Sequence, residues 1–146
     1  IAVHADHRYA LATATDDALD AAIDEILRAD DPFVSNRRIA TRDAFVDGCP
    51  VAAGDVIVID WRSANLDPAA FADPAGFVPA GHAAANLVYG TGPHVCPGRG
   101  LAARELRVLV RARLAAGTAV LDEQQPAARE EAPVAGFRIV PVRVRG

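Results

Sequence analysis

Residues 89–98 read YGTGPHVCPG. A lone cysteine, Cys96, lies there among Gly90, Gly92 and Gly98, with His94 two positions before it and Pro97 directly after. From Arg99 or Gly100 to about Ala116 the chain reads as a helix, GLAARELRVLVRARLAA, with Arg104, Arg107 and Arg111 on one face and Ala102, Leu106 and Leu109 opposite. Gly117 is a natural stop for it. The cysteine therefore stands just before a helix N-terminus, where the positive end of the dipole and free amides favour a thiolate. The glycines permit positive φ and leave room for something bulky close to the main chain. On these grounds Cys96 is open to several readings: a nucleophile, a redox sensor, a metal ligand, or a buried structural cysteine in a turn.

Upstream, residues 16–29, DDALDAAIDEILRA, predict a second helix. Thr15 or Asp16 caps it, acids fill its first turn, and Leu19, Ala22, Ile23 and Ile26 form an apolar stripe. Asp31–Pro32 ends it. Residues 33–62 have the texture of short β runs, with turns at Asp47–Gly48 and Gly54–Asp55, and VIVIDW (Val56–Trp61) is the clearest strand. Residues 63–88 read as a long loop punctuated by Pro68, Pro74 and Pro79, of the kind that often carries function. The tail GFRIVPVRV suggests a final hairpin strand that Pro141 restricts to an edge. Repeats and linker-like composition are absent, so one mixed α/β unit over residues 1–146 is the simplest organisation.

A chain of 146 residues can form one domain with a modest core, or part of a larger one. Its 51% hydrophobic and 23% charged residues are ordinary for a soluble globular chain. No apolar run approaches the roughly 20 residues that span a bilayer, and nothing resembles a signal peptide. A formal charge of −4 argues against a nucleic-acid partner. The two cysteines, Cys49 and Cys96, make no disulfide framework, and a reduced cytoplasmic setting is the default. All 15 basic residues are arginine, a usage associated with GC-rich bacteria. Methionine is absent even at position 1, so the sequence is expected to begin inside a longer chain or to have lost its first residues.

Other motifs for this loop fail or stay unsupported. Gly90-Thr91-Gly92 lacks a third glycine in register for a dinucleotide fold, and there is no lysine for a phosphate loop. Zinc needs four ligands, whereas Cys49 falls in a predicted hairpin far from His94 and Cys96. A cysteine hydrolase needs a base, for which His4, His7 and His82 are available.

The loop YGTGPHVCPG closely resembles the haem-binding loop of the cytochrome P450 family, an aromatic-Gly-x-Gly-x-His/Arg-x-Cys-x-Gly pattern. EILR, Glu25–Arg28, resembles that family's Glu-x-x-Arg helix. The run RRIATRDAFVDGCPVAAGDVIVIDWRSANLDPAAFADP follows the family's hairpin, buried strand and meander approach without gaps. GLAARELRVLVRARLA matches the helix after the cysteine, and HADHRYALATATDDALDAAIDEILR fits the segment leading into Glu-x-x-Arg. The resemblance thus covers essentially every residue. It implies an α+β, mainly helical fold: the C-terminal, proximal-haem portion of a bacterial-type P450, lacking the N-terminal part and the long distal helix.

The resemblance assigns roles residue by residue. Cys96 is implied to be the proximal thiolate of haem b (iron protoporphyrin IX), where a thiolate pushes electron density onto iron. Gly90, Gly92 and Gly98 are the loop's cofactor-side glycines. Pro97 cannot donate one of the amide hydrogen bonds that usually temper the sulfur, which implies a more electron-rich thiolate. Tyr89 stands where the family usually has phenylalanine, and its hydroxyl needs a partner or solvent if buried. His94 and Arg38 match positions that contact haem propionates, for which cationic or N–H donors are suited, with Arg37 a weaker candidate. Glu25 and Arg28 match a structural pair buried behind the loop and tied to a third, cationic residue. Here the pattern departs: Gly76 and Leu66 stand where arginine is usual, so the triad is expected to be incomplete, at a cost to a buried carboxylate.

The function implied is a haem-thiolate oxidoreductase, a monooxygenase or part of one, acting on a small organic substrate with a redox partner. The alternative is a truncated haem-binding or scaffold protein without oxygenase activity, performing redox-neutral chemistry in biosynthesis. Because only the proximal wall of a haem site is supplied, a homodimer or a partner chain is expected to cover the distal face.

Overall fold

The computed structural model describes residues 7–130 and 135–145. Helix α1 (Arg8–Thr13) leads into α2 (Asp16–Ala29), which starts where Thr15 Oγ1 accepts from the Ala18 amide at 3.3 Å. Asp16 and Asp17 complement the dipole in its first turn. Leu19, Ala22 and Ile23 are buried as the stripe predicts, but Ile26 is only half-buried. The deepest positions further along α2 are instead Glu25 and Arg28.

Strands β1 (Ser35–Ile39) and β4 (Val56–Asp60) pair antiparallel from Ser35↔Asp60 to Ile39↔Val56. Between them β2 (Ala44–Val46) and β3 (Cys49–Val51) form a hairpin. Its turn takes positive φ at both Asp47 (48°) and Gly48 (76°), the backbone that a tight two-residue hairpin demands. The predicted strand through Trp61 stops one residue early. Asp60 caps a short helix, α3 (Trp61–Asn65), by accepting from the Ser63 amide at 2.9 Å and its hydroxyl at 2.8 Å. The stretch expected to be all loop therefore holds the end of α3 and also α4 (Pro79–His82).

Helix α5 (Arg99–Ala115) follows the cysteine loop and ends at Gly117, whose φ of 103° suits a helix stop. Its Leu106, Val110 and Leu114 pack on the core of Leu11, Leu19, Ala22 and Ile23. That inward stripe runs at i, i+4 and i+8, so Leu109, expected beside Leu106, is turned out and exposed together with Leu101 and Val108. Arg107 and Arg111 reach Asp16 of α2 at 2.9 and 3.2 Å, tying the two helices along their polar edge.

The tail is not one strand. Pro141 carries no amide hydrogen and divides it. Strands β5 (Thr118–Leu121) and β6 (Ala128–Arg129) are the partners. β7 (Phe137–Ile139) pairs with β6, whereas β8 (Val142–Arg145) pairs with β5. No helix among the described residues is long and apolar enough to cross a membrane.

Candidate functional site

Along its second half α2 presents a buried charge network. Arg28 Nε donates to Glu25 Oε2 at 2.8 Å and Nη2 to Oε1 at 2.9 Å, a two-pronged pair with both side chains essentially inaccessible. The rest of the guanidinium is spent on carbonyls: Asn65 O at 2.6 Å, Pro74 O at 3.0 Å and Gly76 O at 3.3 Å. Phe71 lies under it, 4.8 Å from ring centroid to guanidinium carbon. Glu25 Oε1 also accepts from the Val78 amide at 3.1 Å and sits 2.7 Å from His82 Nδ1.

The expectation of an incomplete triad is therefore corrected. Neither position 66 nor position 76 carries a cation, but α4 brings the imidazole of buried His82 to Glu25, and backbone carbonyls complete Arg28. On sequence grounds His82 is a candidate base or alternative ligand, and the structure makes it instead the partner of Glu25. The signal available was a buried acid needing a third donor, with one histidine following Pro79 in the meander.

Burial acts to raise the Glu25 pKa, but Arg28, the Val78 amide and His82 outweigh it and hold the carboxyl below its ordinary 4.5. The sign follows. Stability from this group is complete above 4.5 and is lost as pH falls through the lower folded value. Denaturant unfolding at stepped pH should show the midpoint falling below pH 4.5, and Glu25→Gln should flatten that fall. An equal fall in the variant would assign the acid lability to other groups.

The loop itself is set by backbone bonds. Gly90 (φ 72°) and Gly92 (φ 63°) take left-handed conformations, as the glycine pattern predicts. Gly98 does not. It adopts φ −85° as the N-cap of α5, where an added Cβ would stand 3.8 Å from Cys96 Sγ, an ordinary contact. The Cys96 amide donates back to Tyr89 O at 2.8 Å and the Gly90 amide to Leu87 O at 2.7 Å, closing the turn on its own root. Tyr89 is half-buried, with Arg99 over its ring at 5.0 Å. Its hydroxyl is enclosed without an aligned hydrogen bond, and burial, then the nearby Asp24 carboxylate, push its pKa up to about 12.

Cys96, Tyr89, Gly90, His94 and Arg38 all line one cavity of about 490 Å³, although Arg38 comes from β1 and the rest from the loop. Its walls are apolar, from Leu27, Phe33, Trp61, Leu87, Val88 and Leu106. Gly92 and Gly98 do not line it, and neither do the buried Glu25 and Arg28. The Cys96 side chain is exposed rather than buried, which removes the inert core reading. Arg38 is half-buried, donates only to Arg37 O at 2.9 Å, and makes no ion pair with an acid among the described residues. His82 is engaged by Glu25 and is not part of the cavity wall, and neither is His7; His4 lies outside the described residues.

The family model for cytochrome P450 matches residues 17–141. The chain belongs to the cytochrome P450 family. It is 38% identical over 121 residues to 20-oxo-5-O-mycaminosyltylactone 23-monooxygenase of Streptomyces fradiae, covering 83% of this chain and 27% of that protein. A methyl-branched lipid omega-hydroxylase of Mycobacterium bovis is 35% identical over 122 residues, covering 83% and 28%. Among solved structures, a mutant of P450 EryK in complex with erythromycin B superposes with a TM-score of 0.86 and 32% identity, over 97% of this chain and 37% of that one. The chain thus spans little more than a third of that P450, and its described residues form a partial P450 fold. P450 proteins carry haem, and the cavity's donor set suits that group: a thiol, an arginine and an imidazole amid apolar walls.

Proposed function

We propose that this chain supplies the proximal half of a haem-thiolate monooxygenase, in which the Cys96 sulfur would hold the iron of haem b. The observation that carries the reading is the convergence of Cys96, His94 and Arg38 on one apolar cavity. Bound haem supplies activation of dioxygen or peroxide toward a small organic substrate. The chain's own residues have simpler tasks. Cys96 offers its sulfur to the iron from just before the N-terminus of α5. Arg38 and His94 offer donors to the haem carboxylates, and the apolar walls keep water from the ring faces they cover. Gly92 and Gly98 shape the loop rather than touch the group. The names of the two curated relatives, a monooxygenase and a hydroxylase, support oxygen insertion as the reaction class. Residues 1–146 act in this reading as one unit, in the cytoplasm, served by an external electron donor.

The absorption spectrum of the reduced, haem-loaded chain under carbon monoxide tests the ligand. A red-shifted thiolate Soret band is expected, and a band typical of histidine ligation would overturn the assignment.

The proximal half also needs cover. Phe33, on the wall of the cavity, is 64% exposed, and apolar surface left open at a site favours a covering partner. A distal half is therefore expected, from further residues of a longer polypeptide, a partner chain or a second copy. For these 146 residues alone, light scattering should give a dimer or larger species. Turnover with reductant should be poor, with peroxide the better oxidant source. A stable haem-bound monomer that couples reductant to hydroxylation would refute this.

A further inference from the structure

Asn65, at the end of α3, is fully buried, and two of its three hydrogen bonds lie outside the Glu25–Arg28 network. Its carbonyl O accepts from Arg28 at 2.6 Å. Its side-chain Nδ2 donates to Asp31 Oδ2 at 2.8 Å, and its Oδ1 accepts from the Leu87 amide at 2.8 Å. Asp31 is 1% exposed, and its other oxygen accepts from the Phe33 amide at 2.9 Å. The ends of this chain of bonds are thus the backbone amides of Phe33 and Leu87, and both residues line the cavity that holds Cys96. From Leu87 the chain reaches Tyr89, whose carbonyl holds the Cys96 amide.

We propose that the Asp31–Asn65 pair is the positioning device of this site: it sets the spacing between the Phe33 wall and the Leu87–Tyr89 wall, and through Tyr89 the height of Cys96 in the cavity. The proposal rests on Cys96 being the haem ligand. The polarity of the bridge is fixed by chemistry. A backbone amide at each end needs an acceptor, so exactly one donor must stand between two acceptors in the middle, and the Asn65 amide provides it. Burial pushes the Asp31 carboxyl up while the Phe33 amide and Asn65 pull against it, so the charge is held chiefly by neutral donors. Neither member tolerates a swap alone. Asn65→Asp sets two carboxylates against each other, and Asp31→Asn turns a donor toward a donor.

Together the two swaps reverse the bridge without breaking it. In the Asp31→Asn/Asn65→Asp double variant, the new amide at position 31 accepts from Phe33 and donates to the new carboxylate at position 65, which still accepts from Leu87. Hydrogen exchange at the Phe33 and Leu87 amides, read on the chain with and without haem, should accelerate about tenfold or more in each single variant, the scale of one unsatisfied buried group. The double variant should recover protection in both. In the haem-loaded chain the singles should lose part of the red-shifted thiolate–CO band at unchanged helix content, and the double should regain it. A general loss of packing would not be reversed by a second polar change. A double variant no better than the worse single, or one that fails to fold, overturns the proposal, as do singles with native protection. A wild-type chain without the thiolate band defeats the Cys96 reading instead, and the haem-free exchange data then still decide the bridge.

Discussion

Cys96→Ala is expected to abolish the red-shifted thiolate–CO Soret band of the reduced chain while leaving secondary structure near native. The thiol can be removed at little structural cost because Cys96 is exposed, so no core packing is lost with it. The loop's geometry also survives in principle. Its closing bond runs from the Cys96 backbone amide to Tyr89 O, and alanine keeps that amide. Loss of the band with retained circular dichroism would therefore report ligation and not unfolding. An unchanged band would sink the assignment. Cys49, the chain's other thiol, would then be the first suspect, because a histidine ligand gives no thiolate band.

Glu25→Gln should have the largest effect on stability, about 3–5 kcal/mol, with loss of haem retention. Four donors converge on this carboxylate: Arg28 Nε and Nη2, the Val78 amide and His82 Nδ1. A glutamine keeps one acceptor oxygen and turns an NH₂ group toward the remaining donors, stranding part of a guanidinium that is 0% exposed. The damage would spread because Arg28 also holds Asn65 O and Pro74 O, and so the path of the meander. Urea unfolding of wild type and variant measures it. A cost below about 0.5 kcal/mol would mean that the pair behaves as an exposed one.

Much of this fold is legible in the sequence because its signals are local. Thr15 with acids after it starts α2, Asp47–Gly48 forces a hairpin turn, and Gly117 stops α5. The loop around Cys96 is legible for a related reason: Gly90 and Gly92 take conformations that other residues rarely adopt, so spacing alone marks the turn. The sequence by itself therefore determined the family and the place of the cysteine before a helix. The tertiary structure decided what depends on partners far apart in the chain. Pro141 divides the tail between two different strand partners, and Leu109 faces out because the packing stripe of α5 runs through Leu106 and Val110. The triad expected to lack a cation is completed by His82, 57 residues from Glu25, and the buried Asp31 finds its donor in Asn65, 34 residues away. No periodicity encodes such pairs. A buried charge must be satisfied, but which distant donor satisfies it is fixed only when the helices and the meander have packed.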